Sequence, residues 1–139
     1  MTVRLFRGLI VVSLLLGLAG VLVDEMFASL LPASLHDALD DLPRPMWTDS
    51  VWGWVWFGGL VLLLLIVGVV GTIGLFMLRR WGRTASLWLT FLLMLLSVWA
   101  GPHALSGVGW ALYDASLILW GAVLAGAYWS PLAARFERA

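Results

Sequence analysis

The uninterrupted apolar run from Gly58 to Leu78 constrains this chain more than any other stretch in it. Trp52, Trp54 and Trp56 precede it, and Arg79-Arg80-Trp81-Gly82-Arg83 follows it. An apolar segment of this length crosses about 30 Å of hydrocarbon. Tryptophans mark a membrane interface, and an arginine cluster marks the cytoplasmic side. The segment therefore reads as a membrane span running from outside to inside, and it sets the direction of the others.

Composition agrees. Of 139 residues, 63% are hydrophobic and 12% charged, against roughly 45–50% and about 25% in a soluble domain. The sequence predicts an all-α polytopic membrane protein: one domain, residues 1–139, folded as a compact antiparallel four-helix bundle. The spans are read at residues 5–23, 51–78, 84–100 and 110–129, with an outer loop at 24–50. The chain has no cysteine, which excludes disulfides, thiolate metal sites and cysteine nucleophiles.

A net charge of zero conceals a strong asymmetry. Arg4, Arg7, Arg79, Arg80, Arg83, Arg135 and Arg138 fall in segments that share one side. Asp24, Glu25, Asp37, Asp40, Asp41 and Asp49 fall on the other, with Arg44 alone among them. The positive-inside rule counts the arginines. It assigns both termini to the cytoplasm and the protein to a bacterial inner membrane.

The first span also fits a signal peptide, with Gly17-Leu18-Ala19 as a passable cleavage site. The expectation is an uncleaved helix, because its removal would leave the next span without a partner to balance the topology. Ser13, Gly17 and Gly20 share one face of it, the pattern that lets a second helix approach closely. In the outer loop, Leu31, Leu35, Leu39 and Leu42 form an apolar stripe at helical spacing. This predicts a short amphipathic helix over Pro32–Leu42 with His36, Asp37, Asp40 and Asp41 facing outward as candidate partner-binding residues.

Span two carries Gly68, Gly71 and Thr72 on one face, and Arg79, Arg80 and Arg83 anchor the tight turn that follows. Span three carries a hydroxylated stripe of Ser86, Thr90 and Ser97. Residues 104–109, with Ser106, Gly107 and Gly109, read as a short flexible turn. Span four has a small face of Ala111, Ala115, Ala122 and Gly126. Gly and Ser at such positions signal helix packing.

Asp114 is the one acid inside an expected span. An intramembrane acid is a functional candidate by default. The reading puts it about one turn below the outer end, on a face with Ile118, Gly121, Ala125 and Tyr128 that points into the bundle. Ser97, Thr90 and His103 are the other candidate polar residues. His36 and His103, with the nearby acids, match no metal-ligand spacing, so no metal and no cofactor are expected. Most of the ten tryptophans cluster near span ends as interfacial anchors. No catalytic set is visible, and the arginines are already accounted for by topology, which leaves no basic surface for nucleic acid.

Three functional readings remain. In the first, a small inner-membrane accessory, assembly or regulatory subunit contacts another membrane protein through its helices and outer loop. In the second, a small homo-oligomeric transporter or channel uses Asp114 and the Ser86/Thr90/Ser97 stripe. The first two need the lipid bilayer and either a membrane-protein partner or self-association, and neither makes the chain an enzyme. The third, ranked after them, is an intramembrane enzyme or redox subunit, which needs His36 or His103 as ligand.

Overall fold

A computed structural model describes residues 1–28, 50–98 and 106–138. Those residues are about 90% helical and contain no strand. In chain order the helices are α1 (Val3–Ala28), α2 (Val51–Phe76), α3 (Arg80–Ser97), α4 (Gly107–Trp129) and the short α5 (Ala133–Arg138). Three are long and apolar enough to cross a membrane: Val3–Met26, Val51–Phe76 and Gly107–Trp129. The protein is therefore a helical membrane protein. The expected amphipathic helix at Pro32–Leu42, with His36, Asp37, Asp40 and Asp41, lies outside the described residues, and so does His103.

The helices form two compact units. In the first, α1 and α4 pack antiparallel. The Ser13–Gly17–Gly20 face of α1 makes the contact, as its small residues suggest. A Cβ added at Gly17 would lie 3.1 Å from Ser116 Oγ, and one added at Gly20 would lie 3.3 Å from the Tyr113 ring. Ser116 Oγ donates to the carbonyl of Ser13 at 2.8 Å. In lipid the hydrophobic effect does not drive helices together, so close packing and hydrogen bonds of this kind carry the association. At the other end of the pair, Phe6 meets Phe136 of α5 edge to face, with centroids 5.9 Å apart. Ile10, Val123, Ala127 and Leu132 are buried there too.

The second unit is the α2–α3 hairpin. Ser50 caps α2, its Oγ accepting from the Gly53 amide at 2.9 Å. At the far end the Leu78 amide donates to the Leu75 carbonyl at 3.0 Å and the Arg79 amide to the Gly74 carbonyl at 2.8 Å. This pair of bonds satisfies carbonyls that the helix end would leave open. It places Leu78 at φ 57°, in the left-handed region, which costs a residue with a Cβ roughly 1–2 kcal/mol.

The reversal takes only three residues, Met77 to Arg79. By charge alone Arg79–Arg83 reads as the turn, with the next span from Thr84; α3 instead begins at Arg80. The cause is a glycine contact. Gly74 and Gly82 meet so closely that a Cβ on Gly74 would lie 2.7 Å from Gly82 Cα. Farther along, Gly71 faces Ser86 and Gly68 faces Leu89, at 3.1 and 3.2 Å by the same measure.

Candidate functional site

Apart from Ser116, which bonds to Ser13, two places on α4 involve a carboxylate. One is its N-terminus. Ser106 is the N-cap, its Oγ accepting from the Gly109 amide at 2.9 Å. Thus the stretch expected to be a flexible turn contains a helix cap and the first helical residues. Asp24 reaches it from α1. Its Oδ1 accepts from the Ser106 amide at 2.8 Å and from Ser106 Oγ at 2.6 Å. A carboxylate at a helix N-terminus is favoured by the open amides and by the positive end of the helix dipole.

An Asp-Glu pair after an apolar run reads as the end of a span, which puts Asp24 in the outer loop. In the structure α1 continues to Ala28, and both Asp24 and Glu25 are helical. Asp24 Oδ2 is closed off from solvent and has no hydrogen-bond partner among the described residues. Gly109 makes the approach possible, since any Cβ there would collide with the Asp24 carboxylate. The legible signal was Ser106-x-x-Gly109, a polar cap followed by a small residue.

The second place is Asp114. The helix starts at Gly107, three residues before the expected boundary. Asp114 is therefore two turns in, about 10 Å along the axis at 1.5 Å per residue. The face of α4 that meets α1 runs through Gly109, Tyr113, Ser116, Val123 and Ala127. At 100° per residue, Asp114 lies about 140° around the helix from that seam. It is exposed, with Ile118 72% exposed on the same side, and a Cβ on Gly121 would meet nothing within 4 Å.

The expectation that Asp114 points into the packed face does not hold for the α1–α4 pair. The reason is that Asp24–Ser106 and Ser116–Ser13 fix the rotation of α4. These bonds, rather than the alanines, choose the seam, and Ala111 and Ala122 are exposed as well. No hydrogen bond or ion pair joins Asp114 to another described residue. A carboxylate at this depth costs up to about 3 kcal/mol if it faces lipid. The side chain is also too short to reach the interface as a lysine or arginine would.

The other candidates are dispersed. Ser86 is buried against α2 at Gly71. Thr90 Oγ1 donates to the Ser86 carbonyl and Ser97 Oγ to the Met94 carbonyl, both at 2.8 Å, so the hydroxyls bond within their own helix. Arg80 and Arg83 stand in the first turn of α3 and Arg79 at its N-cap position. Positive charge is unfavourable at a helix N-terminus, so helix stability does not account for the cluster. No group of three acids or histidines suited to a metal occurs among the described residues.

No protein-family model, no curated protein and no solved structure matches this chain.

Proposed function

We propose that this protein is a four-span subunit of a bacterial inner membrane that works by lateral contact with another membrane protein. The observation that carries this reading is Asp114, an exposed carboxylate two turns inside a helix apolar enough to span. Burial against a second protein removes it from lipid. Around it the outer side of α4 offers Gly121 with open space above it and broad apolar surface, a form suited to helix docking. The transport reading gains less, since Ser86 is closed off by Gly71 and the other stripe hydroxyls bond to their own backbone.

The four-span topology is supported by parity. The C-terminal end of α1 and the N-terminal end of α4 are joined by Asp24 and Ser106, so they lie at the same side of the membrane. The chain between them makes an even number of crossings. Helix α2 is one of them, and α3, antiparallel to it, is the remaining candidate. Its apolar part, from Ala85 to Ser97, spans only about 20 Å at 1.5 Å per residue, so it would tilt little or draw the bilayer thinner.

Single-cysteine labelling tests the topology without background, since the chain has no native cysteine. Gly107→Cys, in open space, is expected to react with an impermeant maleimide added outside. Glu137→Cys is expected to react only after the membrane is opened. Equal labelling of both would refute the arrangement.

The subunit reading is tested by extracting the protein from native membranes into nanodiscs and weighing the intact complexes. The expected result is a fixed ratio to a second integral membrane protein. A population made only of monomers, or only of copies of this chain, would remove the reading.

A further inference from the structure

The partner's chemistry follows from where Asp114 stands and from what the rest of the chain lacks; the argument rests on the subunit reading above. The spans at 51–78, 84–100 and 110–129 contain no lysine, arginine or histidine, and the one at 5–23 contains only Arg7, near its start. Within the first unit, Arg4 and Arg7 lie at the start of α1, which is the end of the pair remote from the N-terminus of α4, and Arg135 and Arg138 lie beyond the C-terminus of α4; His36 and His103 are outside the described residues. A second copy brings the same inventory. In the same orientation its spans could offer Asp114 another Asp114 or a hydroxyl, but no cation near their outer ends.

Charged groups inside membranes face a protein interior or a water-filled cavity, where they pair with one another or with backbone carbonyls. From the exposed carboxylate, and from the absence of any lysine, arginine or histidine in the three later apolar segments and in the outer half of the first, we infer that the Asp114–Ile118–Gly121 face of α4 docks a transmembrane helix of a different protein that carries an arginine or lysine about two turns from the outer surface.

The arrangement suits such a helix in two ways. Gly121 lies two turns below Asp114 on the same side, with open space where a side chain would stand. A partner helix can therefore approach α4 closely at Gly121 while its cation reaches the carboxylate. Ile118, between them, supplies apolar contact. A bidentate guanidinium on the carboxylate satisfies both oxygens, where a single hydroxyl satisfies one.

The test uses the full chain in its native membrane. A benzophenone amino acid replaces Ile118, light is applied, and the adducts are sequenced. The expected adduct joins the chain to an integral membrane protein, at a segment with an arginine or lysine within one helical turn of the crosslink. Its yield is expected to fall at least tenfold in Asp114→Asn and Asp114→Leu and to persist in Asp114→Glu. Replacing the partner's basic residue by leucine is expected to lower it equally.

An adduct whose yield is the same in Asp114→Asn overturns the inference and leaves the subunit reading standing. So does an adduct to a segment without a basic residue. An adduct to this same chain overturns it in favour of self-association. Adducts to lipid alone overturn both readings. Asp114 is exposed and bonds to no described residue, so the helical circular dichroism of the Asn variant is expected to match the parent and to exclude misfolding as the cause.

Discussion

Gly82→Ala is expected to destabilise the α2–α3 hairpin by about 2–3 kcal/mol, the upper part of the range for forcing atoms into a packed contact. The added methyl would stand 2.6 Å from the Cα of Gly74 and from the amide nitrogen of Leu75. Both atoms are backbone, so no rotamer change can make room. The helices would have to separate where the turn is tightest, and Trp81, which packs over Gly74, would lose its seat. The measurement is unfolding in mixed micelles with increasing dodecyl sulfate, followed by tryptophan emission. Gly59→Ala is the control: nothing lies within 4 Å of a Cβ there, and alanine in a helix is expected to be neutral or slightly stabilising. Equal midpoints for the two variants would show that the glycine contact does not hold the hairpin.

Asp24→Leu is expected to cost about 2–4 kcal/mol in the same assay. One oxygen of Asp24 accepts both the amide and the hydroxyl of Ser106. Hydrogen bonds to a charged acceptor contribute about 1.5–3 kcal/mol, and the deserted Ser106 amide adds the penalty of a polar group left without a partner. Asp24→Asn keeps a carbonyl oxygen at the position and is expected to lose about half as much. A cycle combining Asp24→Leu with Ser106→Ala distinguishes this clasp from general loss of helix. The expected coupling is 1 kcal/mol or more, in the range for residues in direct contact. Strict additivity would mean that Asp24 acts elsewhere.

The physics that made much of this fold legible is the bilayer's. Length and polarity decide what can cross, so α1, α2 and α4 could be placed from their apolar runs, and the Ser13–Gly17–Gly20 face could be picked out because small residues permit close approach. Polarity misled at the boundaries. Asp24 and Arg80–Arg83 are charged and were read as loop, yet both lie in helices, because a carboxylate can cap a neighbouring helix and arginines can reach the interface from a first turn.

Rotation was harder to read. Helix α4 has small residues on several faces, and only the bonds from Asp24 and Ser13, residues 82 and 103 positions distant, select which face meets α1. The Gly74–Gly82 contact did leave a trace, since the two glycines stand four residues either side of Leu78. That symmetry means little until the left-handed reversal at Leu78 is known.

The pairing of α1 with α4 has a consequence for how the protein is made. The hairpin glycines are eight residues apart and can meet as soon as both helices have been made. Ser13 and Ser116 are separated by 103 residues. At a synthesis rate of roughly 5–20 residues per second, α1 waits about 5–20 s for its partner. Throughout that interval Asp24 has no Ser106 to accept from, and the Ser13–Gly17–Gly20 groove is open to any other helix in the membrane. Helix α1 is thus complete only once α4 has been made.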